Sequence, residues 1–160
     1  MKKIMMVLIA LLAIAVTISA VSAEGWNFSF GEESNSDGGS VSVENEKLKV
    51  QDEEFTIPDG YKEDESARLL AEESPDFKNA KVTVVTLENG DKNITVKVIF
   101  GDDMGFTLSA DEDGENKTIG DINGVYVPED GEIVFSYLPD SDNLVQIHAP
   151  DDETLEAVLK

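Results

Sequence analysis

The chain contains no cysteine and a single histidine, His148. Without cysteine there is no disulfide to staple a secreted domain, no lipid-modified cysteine near the N-terminus, no c-type haem attachment and no thiolate metal site. One imidazole also falls short of the several His or Cys ligands that zinc and copper sites usually draw on. On a strand His148 shares a face with Leu144 and Gln146, while Val145 and Ile147 point the other way. Nothing in the linear order marks an orienting acid and a nucleophilic Ser or Thr as its partners. Positive charge is scarce as well: 12 Lys and Arg against 34 Asp and Glu give a net charge of −22 at pH 7. Such a surface repels nucleic-acid phosphates and anionic lipid heads, and it suits cations, a basic protein or a cell-surface component.

Long apolar runs are also missing, except at the N-terminus. Lys2 and Lys3 precede an uncharged apolar stretch over residues 4–18, and Val21-Ser22-Ala23 has the small-x-small pattern of a cleavage site. The spacing predicts an export signal over residues 1–23. The same stretch is uncharged for the ~20 residues a spanning helix needs, so an uncleaved anchor is the alternative, with the two lysines keeping the N-terminus inside. Either reading makes the remainder extracytoplasmic, secreted or N-terminally membrane-anchored, with membrane contact only through that first segment. Residues 24–40 read as an aromatic stub, Trp26-Asn27-Phe28-Ser29-Phe30, and a linker of Gly, Ser and acids with nothing to bury. Residues 41–160 are left for a single domain, long enough to bury a core.

Within that domain, period-two alternation with turn punctuation argues for a sheet. Val41-Ser42-Val43, Leu48-Lys49-Val50 and Phe55-Thr56-Ile57 are the first strand candidates, the last ending in Pro58-Asp59-Gly60, a turn signal. Residues 63–73 carry a helix-like window: Ala67, Leu70 and Ala71 at i, i+3 and i+4, acids in the first turn, and Pro75 beyond the end. Residues 81–100 flank Asn89-Gly90 with β-branched side chains and predict a hairpin on a two-residue loop, pairing Val85 with Ile94 and Leu87 with Lys92. Val82 and Val84 are then out of phase with Val85 and Leu87, which predicts a bulge near Val84. Further strands are expected over residues 106–110, 117–127 (broken near Gly120 and Gly124), 132–138 and 144–148. The chain closes on a helix capped by Asp151 or Asp152, with Leu155, Val158 and Leu159 on one apolar face. The fold class is α+β: a largely antiparallel sheet with a short helix after the first strands and a C-terminal helix packed on the sheet.

Phe55-Thr56-Ile57-Pro58-Asp59-Gly60-Tyr61 resembles the F-x-I-P-x-G-aromatic opening of PsbP-like and DcrB-like domains, many of them exported or lipid-anchored. The closing strands, Ala149-Pro150 and the final helix are similar to the end of those domains. The same runs, with Phe135-Ser136-Tyr137, resemble uncharacterised small secreted proteins of methanogenic archaea. The resemblance spans most of residues 48–160 and implies a sheet flanked by helices. It brings no catalytic motif, and fold analogy alone licenses no activity.

Oxygen ligands are what the sequence offers in abundance, so no cofactor is called for and calcium is the one cation its loops suit. In Asp111-Glu112-Asp113-Gly114-Glu115-Asn116 the glycine comes two residues early for an EF-hand loop, and Gly120 stands where its last glutamate belongs. A different calcium site would use Asp111, Asp113 and Asn116 with Asp102 or Asp103; the bland alternative is a solvated turn. Asp140, Asp142 and Asn143 form a second candidate of the same kind. Three N-x-[ST] sequons, at Asn27, Asn93 and Asn116, are candidate glycan acceptors in an exported chain. The functional expectation is a noncatalytic extracytoplasmic binding or accessory domain. A calcium-binding structural module is the alternative; a hydrolase working through paired acids such as Asp102-Asp103 comes third.

Overall fold

The computed structural model describes residues 33–34, 38–129 and 131–160. The expected export signal, the aromatic stub and the Asn27 sequon lie outside them. The first strands form a 4-stranded antiparallel sheet in the order β1-β2-β3-β4, from β1 (Glu33–Ser34), β2 (Ser40–Glu44), β3 (Lys47–Val50) and β4 (Glu53–Thr56). Asn45 and Glu46 both take positive φ (50° and 63°), which is what a two-residue I′ turn between right-twisted strands requires. Part of the segment that reads as linker is sheet: Glu33 and Ser34 pair with Val41 and Ser40. Gly39 is packed so closely on the backbone of Leu70 and Ala71 that an added Cβ would lie 2.9 Å from the Ala71 nitrogen.

The remaining strands are β5 (Lys62–Glu63), β6 (Leu69–Glu73), β7 (Lys81–Asn89), β8 (Lys92–Phe100), β9 (Glu115–Ile119), β10 (Ile122–Glu129), β11 (Glu132–Tyr137) and β12 (Asn143–Ala149). They build an 8-stranded sheet in the order β5-β7-β8-β12-β11-β10-β9, with β6 pairing β7 beside β5. One helix, α1 (Asp152–Val158), follows. Asp151 accepts the Thr154 N–H at 2.8 Å as its N-cap, and Asp152 and Glu153 stand in the first turn.

The main core lies between the two sheets and α1. Leu48, Val50 and Phe55 of the small sheet meet Leu87, Val96, Phe135 and Ile147 of the large one, with Leu155 and Val158 of the helix, all at most 1% exposed. Each such side chain contributes about 1.5–3 kcal/mol by leaving water. Thr83, fully buried among them, joins three elements through one hydroxyl: it accepts from the Ala71 N–H (3.1 Å) and the Gln51 amide (3.0 Å). The Tyr137 hydroxyl reaches Glu53 across the two sheets at 3.4 Å. Burial there pushes the phenol well above its usual range and raises the Glu53 carboxyl too.

Five local expectations are corrected. Residues 63–73 are not a helix but a single 3₁₀ turn, Glu65–Ala67, followed by β6. Asp64 caps only that turn, bonding the Ser66 N–H. Arg68 folds back onto Glu63 as a buried bidentate pair at 2.7 and 2.8 Å. So short a helix is marginal alone, and Leu69, Glu72 and Glu73 pair with β7 instead, while the Ala71 N–H bonds the Thr83 hydroxyl. The hairpin closes on Asn89↔Lys92 with Gly90-Asp91 as its loop, so Val85 faces Val96 and Leu87 faces Ile94. Only Gly90 of the two loop residues has positive φ, the pattern of a II′ turn. The offset of two residues leaves every side chain on its expected face.

No bulge interrupts β7 and β8, which pair continuously from Lys81↔Phe100 to Asn89↔Lys92; the irregularity lies on β6, between Leu69 and Glu72, where Ala71 has φ 50°. Val82 is apolar because the outer face of the large sheet has a small core of its own: Ala80, Val82, Ile99 and Leu144, with Val84 and Leu138 against it. Residues 106–110 are extended but not a strand. Phe106 and Leu108 cover that outer core, and the Phe106 ring meets Phe77 edge-on at 5.2 Å. The expected break at Gly124 is absent too: β10 runs through it, and an added Cβ would sit 2.6 Å from the Phe135 ring, so only glycine lets the strands close there.

Candidate functional site

Beyond the patch covered by Phe106 and Leu108, the outer face continues as two cross-strand rows. Val84, Lys97, Gln146, Ser136 and Val125 form one; Thr86, Thr95, His148, Val134 and Val127 form the other. The alternate residues of the same strands fill the main core, so these side chains must point away from it. Val84, Lys97 and Gln146 are half-buried, as are Thr86, Thr95 and Val127, and Gln146 donates to the Ser136 hydroxyl at 3.4 Å. The rows make a flat, tightly laid surface of small, β-branched and amide side chains, low in charge for so acidic a chain.

His148 stands in the second row, 8% exposed, with Nδ1 3.7 Å from Glu132 Oε1. Burial pushes its pKa below the ordinary 6.5 and Lys97 pushes the same way, outweighing the pull of Glu132. The imidazole is therefore neutral at pH 7. It has an acid beside it, while the nearby Ser136 hydroxyl is bonded to Gln146.

The acidic loop folds as a turn. Asp111 Oδ1 accepts the Asp113 N–H at 3.2 Å, and the Gly114 N–H bonds the Asp111 carbonyl at 3.4 Å. Asp111 and Asp113 are thus brought together at an exposed turn, whereas Asn116 is already in β9, opposite Val125. The second acidic candidate is likewise tied to its own backbone. Asp140 accepts the Asn143 amide (2.9 and 2.8 Å) and the Asp142 N–H (2.7 Å), and these bonds hold its carboxyl below the usual carboxylate range. Asp142 accepts the Met104 N–H at 2.8 Å and so anchors the covering loop. Among the described residues no group of three or more His, Cys, Asp or Glu is placed to share a metal ion.

Asn93 and Asn116 are both exposed, and strand parity puts both on the outer face. Asn116 borders a groove of about 350 Å³ with Leu108, Asn123, Val125 and Leu138. A second groove, of about 510 Å³, runs between Ile57, Pro58 and Tyr61 and the helix residues Thr154 and Ala157. Its mouth is crossed by the Lys92–Asp151 ion pair at 3.0 Å, and the Tyr61 hydroxyl is the one buried side-chain polar atom without a partner among the described residues. On the opposite side of α1, Lys117 pairs with Asp152 at 2.8 Å and lies 3.8 Å over the Tyr126 ring. The outer rows are the feature that reasoning from sequence misses. Their signal was present, in the valines at 82 and 84 that fit neither face of a one-sided sheet. Comparison with protein-family models, curated proteins and solved structures finds no match to this chain.

Proposed function

We propose that this chain is a noncatalytic extracytoplasmic binding or accessory domain, exported through its N-terminal segment and engaging its partner through the two outer rows of the large sheet. The rows carry the reading. They form a continuous surface low in charge on a molecule of net charge −22, and their small and amide side chains suit contact with another macromolecule. The charge elsewhere favours a basic protein or a cell-surface component and disfavours nucleic acid. The basic, apolar and small-residue pattern of residues 1–23 supports the location.

The absence of cysteine makes the test clean, because an introduced thiol is unique. Asp52, on the turn between β3 and β4, is exposed and far in the fold from the outer rows; Lys97 lies within them. In intact cells a membrane-impermeant maleimide should label Asp52→Cys but not Lys97→Cys, and in purified protein it should label both. Asp52→Cys that stays unlabelled until lysis would remove the extracytoplasmic location. Lys97→Cys that labels at the same rate in cells and in purified protein would remove the binding face.

A further inference from the structure

The two sequons on the outer face differ in what holds them. Asn93 and Thr95 belong to β8, which is laddered to β7 on one side and β12 on the other; Thr95 pairs with both Thr86 and His148. The intervening Ile94 and the following Val96 and Val98 are fully buried in the main core. Asn116 and Thr118 belong to β9, 5 residues long, which has β10 as its neighbour and no further strand beyond it among the described residues. For a sugar to be attached to the folded domain, the sequon must leave the sheet and bend into an enzyme's peptide site. Detaching β9 opens one short edge ladder, whereas detaching β8 opens the centre of the core, and local openings of edges are far less costly than those of core strands.

We propose that, of the two sequons among the described residues, Asn116 and not Asn93 is the N-glycosylation acceptor, and that its first sugars lie in the adjoining groove and cover the edge of β9 that no described strand pairs. The groove fits that occupant. Leu108, Val125 and Leu138 supply an apolar floor for the C–H face of a pyranose, and Asn123 and Thr118 supply polar groups at the rim. The Thr118 hydroxyl that completes the sequon faces the same side, donating to Asn123 Oδ1 at 2.7 Å. In the transfer, Asn116 Nδ2 bonds to the anomeric carbon of a lipid-phosphate-linked oligosaccharide. The C–O bond to the phosphate breaks, Nδ2 gives up one proton, and the lipid phosphate leaves. An unpaired edge strand is a template for pairing with another chain, and a bulky sugar standing on it blocks that approach. With Asn93 bare, the sugar on Asn116 covers only the Val125 end of the outer rows and leaves the remainder open to a partner.

The inference rests on the extracytoplasmic location proposed above, which the Asp52→Cys labelling tests separately. Peptide mass spectrometry of the protein recovered from its own cells should find an added sugar mass on the peptide with Asn116 and none on that with Asn93. Asn116→Gln should lose that mass, and its sedimentation at rising concentration should show self-association that the glycosylated protein lacks. An unmodified Asn116 in protein whose Asp52→Cys form labels from outside would overturn the acceptor assignment, as would a sugar on Asn93. If Asn116→Gln loses the sugar yet stays monomeric over the same concentrations, shielding of the edge is overturned. An Asp52→Cys form shielded from the reagent would instead place the failure in the location.

Discussion

The two faces of the large sheet are made by the same strands and do different things. On the inner face Phe135, Val145 and Ile147 are fully buried under the small sheet and α1. On the outer face their neighbours Ser136, Gln146 and His148 lie in rows that Phe106 and Leu108 cover at one end only. Because strand side chains alternate, one sequence has to satisfy both faces at once. The inner face carries the main core, the outer a smaller one of Ala80, Val82, Ile99 and Leu144.

Phe135→Ala should break this contrast most visibly, costing about 3–5 kcal/mol of unfolding free energy by urea titration, since the ring is fully buried and the packed sheets cannot close over its cavity. Asp151→Ala should cost about 0.5–2 kcal/mol by removing the cap that seats α1 on the inner core. Bonds from Thr154, and then Lys92, hold the Asp151 carboxyl at about 2, below the ordinary 3.8. Its folded pKa is depressed, so its contribution is complete above about pH 4 and lost as pH falls through about 2; melting curves of Asp151→Ala should converge on the parent's over that range.

The outer face should respond in a different window. The folded pKa of His148 is also depressed, which means that the fold favours the neutral ring, and stability falls as pH drops below the unfolded value of 6.5. Melting temperatures from pH 7.5 to 5.5 should therefore decline for the parent, and His148→Gln should flatten the decline. Gln146→Ala, in contrast to Phe135→Ala, should change unfolding free energy by less than about 0.5 kcal/mol while weakening whatever protects Lys97→Cys in cells. The smallest effect is expected from calcium. With Asp111 and Asp140 hydrogen-bonded to their own turns and Asp142 to the Met104 N–H, millimolar calcium and excess chelator should give the same melting temperature; a rise with calcium would establish a ligand of the folded state.

Much of the inner face could be read from the residues. The alternation of β2, β3, β8, β11 and β12 and the Asp-capped final helix are local signals, each met by the element it announces, and the Asn-Gly signal marks a hairpin whose loop falls one residue later, on Gly90-Asp91. What failed was decided at a distance. Ala67, Leu70 and Ala71 have helical spacing, yet the open edge of β7 and the Thr83 hydroxyl claim that backbone. Leu108 alternates like a strand residue but is spent as a cover over Leu144 and Ile99. The site was less legible than the fold. The sequons are visible as motifs, but that Asn93 and Asn116 share a face, and that only one of them lies at an edge, depends on a strand order no local pattern encodes.

The early start of the sheet has a bearing on reach. Because Glu33 and Ser34 are already paired with β2, what separates the expected export signal from the folded body is not the whole stretch to residue 40 but residues 24–32. A stretch of that length spans at most roughly 30 Å, at ~3.3–3.6 Å per residue. If the N-terminal segment stays in the bilayer, the domain patrols a thin shell above the membrane. On the proposed reading, a partner fixed in the same membrane would then meet it at a high effective concentration, and a weak contact through the outer rows would be enough to hold the two together.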